Sequence, residues 1–359
     1  LFIVGDPDQT IYTWRGANVK YLLDFDQHHP GTQTIMMMEN YRSTPQILRV
    51  ANALIRKNRQ RIEKDLIPML PDGVPVVCHL AEDSTKEAEW MVKNIETLHQ
   101  MGVAYNEMTV MYRAHYVTRT IEEVLLRSKI PYTIYSGVQF FGRMEIKDAL
   151  CYLRMIVYKD DLSFRRIANV PKRNLGARRM KFLEEYTEQH GGTLYDALVK
   201  NLEHEIFRGT KAREFVALIE KYASSYAERT ISEVLTSILH ESGYEKLLRT
   251  EGAQDRLDNL AELKQAVFSF ETSAGEETDL EAYLKSVAML SNMDIADSHD
   301  RVKLMTVHTA KGLEFPYVFL CSMSEGIFPS KKVNTLEGME EERRLAFVAI
   351  TRAEKGLYL

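Results

Sequence analysis

The chain has 359 residues, of which 45% are hydrophobic and 27% are charged, and its formal net charge is −5. This length favours two or three domains. No stretch approaches the ~18 apolar residues of a membrane span, and no signal peptide is visible. The negative charge gives no bulk attraction to nucleic acid, so any such contact must come from local basic patches. The three cysteines lack the spacing of a zinc site, which indicates inert thiols in a reducing compartment.

In the first half of the chain, short apolar runs alternate with amphipathic segments. The first predicted helix begins at Pro45, after the N-cap candidates Ser43 and Thr44. Strands that alternate with helices predict a parallel α/β sheet. The predicted strands are 34–38, 75–80, 108–112 and 131–135, and the next two helices are 84–101 and 117–128.

The sequence changes character after about residue 158. Helical patterns dominate from there to about residue 299, and strand signals return at 302–307 and 317–321. The pattern therefore predicts an α/β domain that is split by an inserted helical domain. The chain starts within an apolar run, LFIV, and stops within another, GLYL, so we also expect it to be part of a longer protein.

The segment GDPDQTIYTWRGA, residues 5–17, follows a predicted buried strand. Loops at the carboxyl ends of such strands bind ligands in α/β sheets. Gln9 can both donate and accept hydrogen bonds, which suits a group that reports on a phosphate or on its attacking water. Trp14 beside Arg15 suits stacking on a nucleobase. The alternative is a core tryptophan next to a surface charge.

Two further turns carry candidate ligand-binding residues. In ENYRSTPQIL, Arg42 can reach an anion and Tyr41 can lie against a purine ring, or Arg42 is an ordinary surface charge. In VKLMTVHTAKGLEFPYVFL, Glu314 can accept a hydrogen bond from a sugar hydroxyl. His308, in the same segment, would more often be a satisfied structural residue.

The segment EEERRLAFVAITRAEKGLYL, residues 340–359, predicts a helix with Arg352 on its apolar stripe. A cation on an apolar face needs an anionic partner. A phosphate would serve, because a guanidinium is permanently charged and binds it through two hydrogen bonds. An internal ion pair with Glu314 or Glu341 would also serve, and the pattern leaves these alternatives open.

The usual phosphate-cradling loop is absent from the sequence. The chain has no GxxxxGK[ST] motif, no Gly-Lys dipeptide and no Asp-Glu dipeptide. It therefore also lacks the usual acidic pair for Mg²⁺, and we assign no metal ligand to any of its residues.

These four segments, in this order and spacing, resemble motifs III to VI of the UvrD-like superfamily 1A DNA helicases, and FGRMEIKDALCYLR resembles an accessory motif of that family. The resemblance implies a RecA-like α/β domain split by a mostly helical insertion, within a helicase core whose P-loop half is absent here. Residues 1–32 would end the first RecA-like domain. Residues 33–158 and 300–359 would form the second, and 159–299 would be its insertion.

The resemblance also implies roles at an ATP site. Gln9 would sense the γ-phosphate, and Arg42 and Arg352 would be arginine fingers that contact it. Tyr41 would lie near the adenine, and Glu314 would contact the ribose.

On the DNA side, the resemblance implies that Trp14 stacks on a base of single-stranded DNA and that Arg15 supports the same strand. His308 would link the nucleotide state to that strand. Where the family often has a Gly-Ile-Gly-type hairpin for the duplex backbone, this chain reads Asn-Leu-Gly. The basic cluster there would contact DNA phosphates or form an ordinary solvated face; it consists of Lys172, Arg173, Arg178 and Arg179.

The implied function of the longer protein is ATP-dependent, 3′-to-5′ DNA translocation and unwinding, with single-stranded DNA and single-strand/duplex junctions as partners. ATP and Mg²⁺ would be required, and the Mg²⁺ ligands would lie in the upstream part, so this chain would not hydrolyse ATP by itself. We expect a cytoplasmic, nucleoid-associated bacterial protein without membrane contact. Two alternatives are a non-catalytic nucleic-acid-binding or regulatory protein of the same architecture, and a nuclease-fused relative of the RecB type.

Overall fold

The chain forms two compact units, residues 1–138 with 294–359 and residues 139–293. A computed structural model describes residues 2–13, 16–135, 139–273, 279–291 and 300–359. Within these ranges the first unit is α/β and the second is helical. No helix in the described ranges is long and apolar enough to cross a membrane.

All strands of the described residues lie in the first unit. A short parallel pair consists of β1 (Glu39–Asn40) and β2 (Ile67–Pro68). The main sheet is parallel and consists of β3 (Met108–Tyr112), β4 (Tyr132–Ile134), β5 (Val302–Thr306), β6 (Phe315–Leu320) and β7 (Ala353–Tyr358). Their order across the sheet is β4-β5-β3-β6-β7, so the strands that flank the second unit in sequence pair with each other.

Helices cover both faces of the main sheet. The first unit contains α1 (Lys20–Leu23), α2 (Phe25–His28), α3 (Pro45–Ile55), α4 (Ser84–Gln100) and α5 (Thr118–Arg127), followed after the second unit by α15 (Val307–Ala310) and α16 (Leu336–Ile350). The side chains of β3 alternate between two cores: Met108 and Val110 pack with α4 and α5, whereas Met111 packs with α3 and α16. This alternation follows from the two-residue period of a strand, and burial on both faces is typical of parallel sheets.

Several predicted elements are confirmed within one or two residues, notably β3, α4 and α5. Two predicted strands are wrong. Residues 34–38 form no strand, and their side chains are exposed, with Met37 at 83%. Residues 75–80 form an isolated bridge between Val77 and Tyr358 rather than a strand, although backbone hydrogen bonds join residues 77 and 79 to residues 357 and 359. Both segments are apolar enough to form strands, but a strand requires regular backbone pairing over several consecutive residues.

The second unit is a bundle of helices, and α6 (Met144–Val157) lies at its centre. Ile146, Tyr152 and Leu153 of this helix are fully buried in the bundle core. Because α6 packs in this core, the second unit begins before residue 159, where the sequence analysis placed the start of the insertion. The family domain boundaries themselves stay a prediction. The other helices are α7 (Asp161–Ile167), α8 (Ala177–His190), α9 (Leu194–Lys200), α10 (Ala212–Ala223), α11 (Ile231–Glu241), α12 (Tyr244–Thr250), α13 (Gln254–Ser273) and α14 (Leu280–Ser291).

Candidate nucleotide and nucleic-acid site

Arg42 and Glu314 meet at one edge of the first unit. Arg42 follows β1 and Glu314 precedes β6, and the Arg42 Nε lies 2.6 Å from the Glu314 Oε2. Asn40 shapes the turn, because its Oδ1 accepts hydrogen bonds from the backbone N–H of Arg42 at 3.0 Å and of Ser43 at 2.9 Å. Both charged side chains remain partly exposed, at 31% and 55%, so they are accessible to a ligand.

Arg352 lies between α16 and β7 and is only 2% exposed. Its Nε donates to the Val348 carbonyl at 3.1 Å, its Nη1 to the Leu313 carbonyl at 3.0 Å and its Nη2 to the Thr351 hydroxyl at 3.2 Å. Burial and the nearby Arg42 charge lower the pKa of Arg352 to about 10. The guanidinium is thus held in place by neutral groups.

The ion pair that the sequence left open for Arg352 does not form among the described residues. Glu314 pairs with Arg42 instead, and Glu341 accepts hydrogen bonds from the backbone N–H and the hydroxyl of Thr13. A buried cation whose described partners are all neutral is costly unless an anion binds it. The charges of Glu314 and Asp6 still favour the charged form of Arg352 without forming an ion pair with it, and the external anion stays a prediction.

Tyr41 is the exposed aromatic residue next to these charges, at 66%. Its hydroxyl donates to the Glu39 Oε2 at 2.5 Å, and this hydrogen bond raises the pKa of Tyr41. The hydroxyl therefore stays protonated at neutral pH, and the ring offers an uncharged face to the solvent.

The segment around Gln9 is tied to the rest of the first unit by several side chains. The Gln9 side-chain Nε2 donates to the Asp6 Oδ2 at 2.7 Å, and the Gln9 backbone carbonyl accepts from the Lys311 Nζ at 2.8 Å. Asp8, which is 1% exposed, forms an ion pair of 3.0 Å with Arg61. These contacts fix the backbone of the segment while leaving the Gln9 side chain partly exposed.

His308 is the second residue of helix α15, which directly follows β5. Its carbonyl accepts a hydrogen bond of 2.9 Å from the Tyr12 hydroxyl, and the two rings lie 5.7 Å apart. Burial and the charge of Arg113 lower the pKa of His308. The imidazole is therefore neutral at pH 7, and it connects α15 to the segment that precedes Trp14 and Arg15. Those two residues lie outside the described ranges.

Comparison with protein-family models identifies the family of this chain. The family model described as the UvrD-like helicase C-terminal domain matches residues 35–359, and the UvrD/REP helicase N-terminal domain matches residues 1–30. The chain belongs to the UvrD-like helicase family. The resemblance drawn from the four motifs is thereby confirmed, and the parallel α/β fold class agrees with it.

Individual relatives give the same result. The chain is 38% identical to the ATP-dependent DNA helicase PcrA of Staphylococcus epidermidis and 39% identical to DNA helicase II of Escherichia coli strain K12. Each alignment runs over 371 residues and covers 100% of this chain but 51% of the relative. The chain thus spans about half the length of the curated relatives that it matches.

Within this UvrD-like helicase chain, the basic cluster of the second unit divides into two kinds of residue. Lys172 and Arg178 are exposed. Arg179 is half-buried, and its Nε donates to the Ile206 carbonyl at 2.7 Å. Arg173 is only 6% exposed. Its prediction as a DNA contact is therefore corrected, because its guanidinium faces the core of the bundle.

No group of three or more His, Cys, Asp or Glu side chains in the described ranges is arranged to hold a metal ion. The acidic residues of the site are engaged otherwise, with Glu314 bound to Arg42 and Asp8 bound to Arg61. The position of the Mg²⁺ ligands in an upstream part of the longer protein stays a prediction. The two arginines and Tyr41 do fit the phosphates and the base of a nucleotide by charge and shape.

Sequence reasoning missed three residues that organise the site. Arg61 neutralises Asp8, Arg344 donates from its Nε to the Thr10 carbonyl at 3.0 Å, and Thr351 contacts Arg352. Arg344 carried a usable signal, because it lies four residues after Glu340 within the predicted helix. Arg61 carried none, since its partner Asp8 is 53 residues away in sequence. Thr351 carried none, since an uncharged hydroxyl next to an arginine is an ordinary sequence feature.

Proposed function

We propose that this chain is the arginine-finger half of an ATP-dependent DNA helicase or translocase that moves 3′ to 5′ on single-stranded DNA. The observation that carries the proposal is the pair of adjacent guanidiniums, one of which, Arg352, is buried among neutral partners. An ATP γ-phosphate presented by a P-loop half would supply the missing negative charge.

The chemistry of the two arginines is electrostatic. In phosphoryl transfer the γ-phosphate oxygens gain charge in the transition state, and a cation fixed beside them lowers the barrier. Arg352 is held by three hydrogen bonds to neutral groups, so little reorganisation is needed when the phosphate arrives. Arg42 would move from Glu314 to the phosphate, and Glu314 would then accept from the ribose.

The coupling to DNA runs through the segment that contains Gln9. Gln9 would orient the attacking water or sense the γ-phosphate. The same segment leads to Trp14 and Arg15, which would hold a base and the strand, and it contacts His308 through Tyr12. A displacement of Gln9 on hydrolysis would therefore change the grip on single-stranded DNA.

The exposed part of the basic cluster would contact duplex phosphates near a single-strand/duplex junction. Lys172 and Arg178 have the exposure that such contacts need, and Arg179 would assist from its half-buried position. ATP and Mg²⁺ would be used by the longer protein, which we propose to be a cytoplasmic, nucleoid-associated bacterial enzyme.

A single comparison tests this function against the non-catalytic alternative. ATP hydrolysis is measured with and without single-stranded DNA for two proteins, this 359-residue chain and the natural product extended upstream. We expect turnover by the longer protein only, stimulated by DNA. If neither protein hydrolyses ATP while the longer one binds DNA, the non-catalytic binding protein is the correct interpretation.

A further inference from the structure

Thr351 contacts both arginines of the proposed ATP site. Its hydroxyl accepts a hydrogen bond from the Arg352 Nη2 at 3.2 Å, and its backbone carbonyl accepts one from the Arg42 Nη1 at 3.4 Å. The residue ends helix α16 and is 2% exposed. Thr351 therefore accepts a hydrogen bond from each of two guanidiniums. Arg42 is 309 residues away in sequence, and Arg352 is the next residue.

The turn that carries Arg42 is fastened to the same stretch of chain. The Ser43 hydroxyl donates to the Ala353 carbonyl at 2.6 Å, and the Thr44 N–H donates to the Glu354 carbonyl at 3.1 Å. Ser43 is 0% exposed, so its hydrogen bond is protected from water. These two hydrogen bonds thus hold the backbone around Arg42 against the backbone after Arg352.

The two guanidiniums contact the same residue and carry like charges, so they repel each other. The repulsion is stronger because one of them is buried. An acceptor oxygen directed at each guanidinium offsets part of that repulsion and restricts the rotamers of both side chains. We propose that Thr351 is a positioning residue that holds the two arginine fingers at the spacing required for one γ-phosphate. The inference rests on the proposed function of those arginines.

Thr351→Val removes the hydrogen bond to Arg352 without leaving a backbone carbonyl unpaired. The Thr351 hydroxyl donates to the Phe347 or Val348 carbonyl, at 2.9 and 3.1 Å. Both carbonyls keep another donor in Thr351→Val, because the backbone N–H of residue 351 binds the Phe347 carbonyl and the Arg352 Nε binds the Val348 carbonyl. The group that loses a partner is the Arg352 Nη2.

The experiment measures DNA-stimulated ATP hydrolysis by the longer natural protein and its variants. We expect Thr351→Val to lower kcat about 10- to 100-fold with KM for ATP changed less than about threefold, the range that a hydrogen bond to a charged group can carry. Thr351→Ser keeps the hydroxyl and should retain most of kcat. In an Arg352→Ala background, Thr351→Val should have no further effect on kcat, because it acts through Arg352.

The outcomes separate the two levels of the proposal. A wild-type protein without ATP hydrolysis would overturn the proposed function itself. An active wild type with a normal Thr351→Val variant, or with Thr351→Ser impaired equally, would overturn the positioning role and leave the function standing. A multiplicative loss in the double variant would also overturn it, since it would indicate a general structural defect. If Thr351→Val does not fold, Thr351→Ala replaces it throughout, because its smaller side chain introduces no clash.

Discussion

Arg173→Ala is expected to destabilise the second unit rather than to weaken DNA binding. The Arg173 Nη1 donates to the Ile167 carbonyl at 2.8 Å and the Nη2 donates to the Tyr152 hydroxyl at 2.6 Å. The guanidinium carbon also lies 4.8 Å from the centre of the Phe215 ring. Alanine removes all of these interactions together.

The magnitude follows from the individual contacts. Each of the two short hydrogen bonds comes from a charged donor, and at the lower end of the usual range each stabilises the fold by about 1.5 kcal/mol. The Ile167 carbonyl keeps the Val170 N–H as a donor, so it is not left unpaired. The contact with Phe215 adds a further ~0.5–1 kcal/mol, and relief of the buried charge subtracts a similar amount. We expect a loss of about 3 kcal/mol, or about 6–12 °C in the melting temperature of this unit.

The assay uses two optical signals from the 359-residue chain. Both tryptophans, Trp14 and Trp90, fall in the residue ranges of the first unit, so fluorescence follows that unit. Far-UV circular dichroism is dominated by helices, and most of the longer ones are in the second unit. Arg173→Ala should shift the helical transition more than the fluorescence transition. Arg178→Ala is the matched control, because its exposed side chain should change stability by less than about 0.5 kcal/mol.

The opposite result would refute this reasoning. If Arg173→Ala melts like the unmodified chain while its affinity for duplex DNA falls as much as that of Arg178→Ala, then Arg173 contacts DNA and the buried geometry is not its working state. The salt dependence of DNA binding separates the two cases. Each lost phosphate contact reduces the slope of log K against log salt concentration by about one unit.

Three further outcomes are expected. In the longer protein, Arg352→Ala should lower kcat for ATP by ~10³ with ATP binding mostly retained, as measured by steady-state kinetics and nucleotide titration; unchanged turnover would make Arg352 structural. Trp14→Ala should weaken single-strand binding by ~1–3 kcal/mol and uncouple translocation from hydrolysis, which fluorescence anisotropy and stepping assays would detect. Folding lowers the pKa of His308, so the folded chain binds fewer protons than the unfolded chain. The free energy of unfolding should therefore fall as the pH drops below about 6.5. His308→Gln should flatten that decline in urea midpoints measured between about pH 5 and 7, and an unaltered profile would contradict the assignment.

The sequence by itself determined the local elements with strong periodicity. Strand β3, helix α4 and helix α5 lie where apolar spacing predicted them, because one buried face fixes both the type and the extent of such an element. The four motifs also determined the family, since their residues and their order can be read directly from the sequence. The apolar run at 34–38 shows the limit, because composition favours a strand there but the structure assigns none, although the Met38 carbonyl accepts a backbone hydrogen bond from Ile67.

Only the tertiary structure decided which charged residues are available at the site. Arg173 and Arg178 look alike in the sequence, yet one faces the bundle core and the other faces solvent. Arg42 meets Thr351 across 309 positions because the turn after β1 is hydrogen-bonded to the start of β7, where the Ala353 carbonyl accepts from the Ser43 hydroxyl. Periodicity reports which face of an element is buried, but it carries no information about which distant segment covers that face. Contacts between remote residues therefore required the folded chain.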